Sequence, residues 1–181
     1  LQHPVTTEYG DTRRQVNETL CAIDELGLPT LWFWPNVDAG SDGTSSGIRA
    51  YREAHALPHV HFFKNLPPED FLRVLMKAQC IVGNSSVAIR ECAYLGVPAV
   101  NIGTRQEGRD RGRNVIDVAY DRKAIKEGVL RHVGTPRPAP DPMRSEQNGP
   151  PASSSCWPAL FPSRTFPPAR TGSTARNRAL R

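Results

Sequence analysis

Residues 81–98 read IVGNSSVAIRECAYLGVP: two apolar β-branched residues, a glycine, a polar Asn-Ser-Ser, a mixed stretch and a closing Gly-Val-Pro. Ile81 and Val82 predict a short strand, Gly83 a tight turn, and Ser85 or Ser86 the amino cap of a helix continuing to about Leu95. Gly96 stops that helix. In a parallel α/β sheet such a junction lies at the carboxyl edge of a strand, where the first N–H groups and the dipole of the helix face a bound group. An anion suits that place. Taken alone, the junction reads equally well as an ordinary capped helix, so its neighbours decide.

Upstream, Val16, Leu20 and Ile23 form a helical stripe in a helix over 17–26 that Gly27 and Pro29 close, and a strand over 30–34 with Leu-Trp-Phe-Trp at its heart comes after it. A polar helix over 43–56, a strand over 59–63 and a helix over 67–78 opened by Pro-Pro-Glu-Asp come next. Downstream of the quoted stretch the pattern predicts a strand over 99–102 and a last helix over 121–133, while residues 1–7 read as the end of a strand and the loop after it. Short strands alternating with helices predict an α/β fold, a Rossmann-like parallel sheet with helices on both faces, and such sheets bind ligands beyond the carboxyl ends of their strands.

Composition breaks this pattern near residue 134. Of the 181 residues, those up to Gly134 hold 16 Lys and Arg against 16 Asp and Glu, so the net charge of +5 comes wholly from residues 135–181. That segment carries seven Arg, no Lys, two acids and ten of the 17 prolines, without helix or strand periodicity, which predicts a disordered tail beside a domain over 1–134. The charge is therefore no argument for a nucleic-acid-binding fold, and no nucleic-acid partner is expected. The four cysteines lack C-x-x-C spacing and three fall in apolar periodic segments, which predicts buried free thiols, a reducing compartment and no metal site. No apolar run is long enough to span a bilayer and the first residues lack a signal-peptide layout, so a cytoplasmic protein without membrane partners is expected.

The carboxyl ends of the expected strands share one chemistry. They are His-Pro-Val-Thr-Thr (3–7), Pro-Asn-Val-Asp-Ala-Gly-Ser (35–41), Lys-Asn-Leu-Pro (64–67), Gly-Asn-Ser-Ser (83–86) and Gly-Thr-Arg-Gln-Glu-Gly-Arg (103–109). Each has a bland explanation: Asn36 and Asn65 form turns, Ser85 caps a helix, the arginines solvate a loop, and His3 packs. Five loops of one edge that all offer hydroxyls, amides, glycines and cations point together to a polar ligand.

The same stretches carry a resemblance. HPVTTEYG, PNVDAGS, NLPPEDF, GNSSVAIRE and NIGTRQEGRDRGRNV resemble, in order and spacing from about Leu1 to about Val133, the carboxyl-terminal domain of the UDP-N-acetylglucosamine 2-epimerase family, its hydrolysing branch in particular. The resemblance implies one half of a GT-B architecture, two Rossmann-like domains with the active site between them. It implies that Ser85 and Ser86 hold a diphosphate, that Glu91 accepts hydrogen bonds from ribose hydroxyls, and that Arg105 contacts the nucleotide and neutralises phosphate charge. Asn36 and the backbone around Leu66 would line the nucleotide and uracil pocket, and His3 would stand beside the diphosphate and the reacting sugar as the catalytic candidate. The implied partners are UDP-N-acetylglucosamine or UDP, an amino-terminal domain that supplies most acid and base carboxylates, and further copies in a homo-oligomer. No cofactor is implied. The implied reaction expels UDP from C1 with loss of the C2 proton, then adds water to give N-acetylmannosamine.

The Asn-Ser-Ser at 84–86 and Asn-Ile-Gly-Thr-Arg-Gln at 101–106 are what place the resemblance in the hydrolysing branch, while Asp42 and Ser46 stand where members regulated by a CMP-sialic acid carry basic residues. Beyond residues 138–142 the sequence departs from the family, and its Arg-rich, Lys-free composition suggests a gene piece cut at its start and frameshifted near its end. A GT-B glycosyltransferase half, a nucleic-acid module driven by the tail arginines, and a nucleotide-binding domain without catalysis are the alternatives. The motifs oppose the first, and the second lacks any aromatic stacking pattern.

Overall fold

The computed structural model describes residues 1–35 and 41–141. Among the described residues, helices and strands alternate as far as β4, and β5 then follows with no helix between: α1 (Thr12–Leu26), β1 (Thr30–Phe33), α2 (Ser41–Ala54), β2 (Val60–Phe63), α3 (Pro68–Lys77), β3 (Ile81–Gly83), α4 (Glu91–Leu95), β4 (Ala99–Ile102), β5 (Val115–Val118) and α5 (Arg122–Leu130). All ladders are parallel, and helices lie on both faces, as the alternation requires. The strands form two sheets, a pair β1–β2 and a triplet β3–β4–β5.

Three apolar clusters hold the layers. Val16, Leu20 and Ile23 of α1 meet Ile48 of α2, Trp32 of β1 and Val60 of β2. Ala22 of α1 and Ile125 and Val129 of α5 pack on Val100 and Ile102 of β4. On the opposite face Leu72 and Leu75 of α3 meet Cys92 and Leu95 of α4 and Val97. All four residues of β4 are buried, because strands flank both its edges and helices cover it. β1 is less enclosed, with Leu31 41 % exposed.

Four local features differ from the sequence expectations. The first helix begins at Thr12, five residues earlier than the apolar stripe indicates. Strand β5 was not legible: it is short, Asp117 interrupts its apolar run, and only pairing with β4 (Ala99 to Val115, Val100 to Ile116) defines it. The single helix expected from Ser85 or Ser86 to Leu95 is a 3-10 turn, Ser86–Ala88, followed by the short α4. Arg90, at φ −94° and ψ −74°, breaks the path, and the Asn114 amide occupies the Ala88 carbonyl at 3.0 Å, a group that a continuous helix would use four residues on. Finally, the described chain continues past residue 134 along the domain: Asp141 N–H donates to the Ala93 carbonyl (2.8 Å) and Arg137 to that of Ala78 (2.6 Å). Gly96 admits this segment, since it sits at φ 64° and a Cβ there would approach the Pro138 carbonyl to 2.5 Å.

Candidate functional site

Asn84, fully buried just past β3, is the centre of the polar edge. Its Oδ1 accepts the His3 backbone N–H at 2.7 Å and its Nδ2 donates to the His3 carbonyl at 2.8 Å. A side-chain amide thus continues the pairing that Leu1 begins, where the Leu1 amino group donates to the Val82 carbonyl (2.8 Å) and Asn84 N–H to the Leu1 carbonyl (3.3 Å). Gly83 lies opposite Leu1 at φ 135°, and any Cβ there would collide with the Leu1 carbonyl. His3 itself is 5 % exposed.

The same Asn84 gathers the loop after β4. Its backbone carbonyl accepts from buried Gln106 Nε2 at 2.8 Å and from Arg105 Nη1 at 3.1 Å. Arg111 holds that loop closed, donating to the Gln106 carbonyl (2.9 Å) and to both oxygens of Asp117 (3.1 and 3.0 Å), which also accepts from Asn101 (2.6 Å). Glu8, in the 3-10 segment Thr6–Asp11 that follows His3, accepts from Thr104 and from Gln15. Tyr120 packs against Gly103; burial pushes its phenol above the ordinary value, and the neighbouring Asn84 side chain opposes the shift.

Ser85 is buried and caps the 3-10 turn, its Oγ accepting from Val87 N–H at 3.4 Å; Ser86 is half-buried. The N–H groups of Ala88, Ile89 and Arg90 bond back to the Ser85 and Ser86 carbonyls, so the amides that a long helix would present are engaged within the turn. The groups left to meet an anion here would be the serine hydroxyls and exposed Arg105, whose planar guanidinium has the geometry of a phosphate-oxygen partner. Glu91, 6 % exposed, starts α4 directly behind the turn.

The structure therefore brings His3, Ser85, Ser86 and Arg105 together around Asn84, with Glu91 at the base of the turn. Leu66 lies on the loop after β2, a strand of the other sheet, its N–H held by the Asn65 side chain at 2.9 Å. Asn36 lies outside the described residues. Asn84, Gln106, Glu8, Thr104 and Tyr120 were not singled out by sequence reasoning. A lone buried Gln or Tyr has no local signature, although Asn84 stood in the quoted motif. Among the described residues no group of three His, Cys, Asp or Glu side chains could hold a metal ion, and no helix is long and apolar enough to cross a membrane. Cys21, Cys80 and Cys92 are free thiols; burial pushes Cys80 up to about 11 and Cys92 well above its ordinary value. Cys156 lies outside the described residues.

Fold and site together define a parallel α/β domain with a polar, cation-bearing edge at the carboxyl ends of its strands. The pattern of the UDP-N-acetylglucosamine 2-epimerase family matches residues 1–149, and the chain belongs to that family. Over 129 residues it is 33 % identical to a UDP-N-acetylglucosamine 2-epimerase of Neisseria meningitidis serogroup B, which covers 70 % of this chain and 33 % of that protein. Over 137 residues it is 31 % identical to a hydrolysing UDP-N,N'-diacetylbacillosamine 2-epimerase of Legionella pneumophila, covering 76 % of this chain and 36 % of that one. A hydrolysing GDP/UDP-N,N'-diacetylbacillosamine 2-epimerase of Campylobacter jejuni is 30 % identical over 118 residues, 64 % of this chain and 30 % of its own length. The chain spans about a third of the length of these relatives.

Proposed function

We propose that this chain is the UDP-binding half of a hydrolysing UDP-N-acetylglucosamine 2-epimerase, an intracellular enzyme of amino-sugar metabolism that converts UDP-N-acetylglucosamine and water to N-acetylmannosamine and UDP. The observation that carries the reading is the convergence of Ser85, Ser86, His3 and Arg105 on Asn84. In this reading the serine hydroxyls and the Arg105 guanidinium take the charge that develops on the departing diphosphate. Glu91 accepts from the ribose hydroxyls, His3 borders the diphosphate and the reacting sugar, and Asn36 and the Leu66 backbone line the uracil side. A base near C2 is also needed, and a companion domain across the cleft supplies most of the acid and base carboxylates. This chain alone then binds nucleotide without turnover. The hydrolysing branch is favoured over an isomerase that returns UDP-N-acetylmannosamine because two of the relatives above carry the hydrolysing designation.

Titration of the chain with UDP by calorimetry or NMR tests the reading. With one wall of the cleft, a Kd of roughly 0.1 to several mM is expected. Glu91→Gln should weaken UDP and spare inorganic pyrophosphate, whereas Arg105→Ala should weaken both. A folded chain that ignores UDP overturns the proposal.

A further inference from the structure

From Thr104 to Arg111 the loop after β4, which carries Arg105, contains no apolar residue. Gln106 is buried and Arg111 half-buried, the other six residues are exposed, and a Cβ on Gly108 would meet no atom within 4 Å. With so little burial to hold it, the loop owes its shape to hydrogen bonds. At its start Gly103 N–H donates to the Val118 carbonyl (2.8 Å), and the Tyr120 ring lies against the Gly103 backbone. In its middle Arg105 and Gln106 reach the Asn84 carbonyl.

The far side of the loop is tied down by Arg111. Its Nε donates to both Asp117 oxygens, at 3.1 and 3.0 Å, and its Nη1 to the carbonyls of Gln106 (2.9 Å) and Arg109 (2.5 Å). A guanidinium suits this task, because its rigid planar fork serves a carboxylate and backbone carbonyls at once, whereas a lysine offers a single point charge. Asp117, the polar residue that interrupts β5, stands opposite Asn101 in the β4–β5 register and accepts from its amide at 2.6 Å, so the clasp is rooted in the triplet sheet. The ion pair itself is open to water, with side-chain exposures of 27 % for Arg111 and 52 % for Asp117, and pairs so placed add little to folding stability. What these bonds fix is the return path of the loop, and with it the place of Gln106 and of Arg105 beside it.

We propose, resting on the reading of Arg105 as a phosphate contact, that Arg111 is a positioning residue of the nucleotide site: clasped on Asp117, it holds the loop in the shape that keeps the Arg105 guanidinium beside Ser85 and Ser86, and so governs anion affinity through Arg105 without touching the ligand. The physical basis is preorganisation. A loop that moves freely before binding must be ordered at the moment of binding, and that cost comes off the affinity. Both UDP and inorganic pyrophosphate feel it, because the diphosphate that Arg105 meets is common to them.

The test uses the full chain carrying Arg111→Ala or Asp117→Ala, each alone and combined with Arg105→Ala, titrated by NMR with UDP and with inorganic pyrophosphate. Each clasp substitution alone should weaken both ligands roughly fivefold, while Tm moves by less than about 3 °C. Backbone order parameters over residues 104–109 should fall from about 0.85 to below about 0.6. Added to Arg105→Ala, the same substitutions should cost less than about 1.5-fold further, because residues that act through one contact are not additive. Additive losses overturn the proposal, since Arg111 then acts other than through Arg105. So does an unchanged order of the loop, or a loss of affinity that comes with a fall in Tm beyond that range, which marks a structural residue. A wild-type chain that binds UDP while both clasp variants bind it equally well overturns this inference alone, whereas a folded wild-type chain that binds neither ligand overturns the nucleotide reading and the inference together.

Discussion

The two sheets were built by the same alternation of strand and helix, yet they are enclosed differently. In the triplet, β4 has a strand on each side and buries all four of its residues between α1 and α5 on one face and α4 on the other. In the pair, β1 has β2 on one side and a cavity on the other, and Leu31 remains 41 % exposed. The difference shows that a strand's stability comes from what lies on its edges and faces more than from its own residues, since Leu-Trp-Phe is the more apolar of the two sequences. The polar site sits on the well-enclosed side, with His3 reaching it from the boundary.

The largest effect that would break this comparison is truncation in the cores. Ile102→Ala should cost about 2–5 kcal/mol in denaturant unfolding, because the side chain is fully buried and its surroundings cannot collapse. Leu31→Ala should cost less than about 1 kcal/mol. Similar losses at both positions would mean that the pair is as enclosed as the triplet.

Asn84→Ala comes next. It strands the His3 N–H and carbonyl inside the protein, and a destabilisation of roughly 2–3 kcal/mol is expected by the same measurement. UDP affinity should fall as well if the site is as proposed, because the Asn84 side chain is what holds the backbone of His3 beside Ser85 and Ser86.

The smallest effect concerns acidity. Half-buried His132 has its pKa lowered from the ordinary 6.5 by burial. The folded state therefore holds fewer protons than the unfolded state as pH falls below 6.5, so stability should be full above that value and decline below it. His132→Gln should flatten that decline in urea unfolding monitored between about pH 5 and 8.

Most of the architecture was written in short-range patterns. The stripe of Val16, Leu20 and Ile23, the apolar run at 31–34, the Pro-Pro-Glu-Asp start of α3 and the Gly96 stop each act over a few residues, and each named an element that is present. The serines at 85 and 86, the histidine at 3 and the arginine at 105 were legible as a polar edge because parallel α/β topology sends every strand's carboxyl end to one side.

Tertiary structure settled the features that depend on distant partners. β5 exists because β4 offers it a ladder, and the helix after Ser86 is broken because Asn114, far along the chain, claims the Ala88 carbonyl. Asn84 became the centre of the site through bonds to His3, 81 positions away, and to Gln106, 22 positions away. A buried amide must satisfy its donors and acceptors wherever the fold brings partners, and no local pattern records which partners those are. The order and kind of the elements and the chemistry of their ends were already present in the linear chain. Packing alone brought those ends together on one asparagine and left the strands in two sheets with an apolar cavity between them, because backbone pairing and burial are settled between segments and not within them.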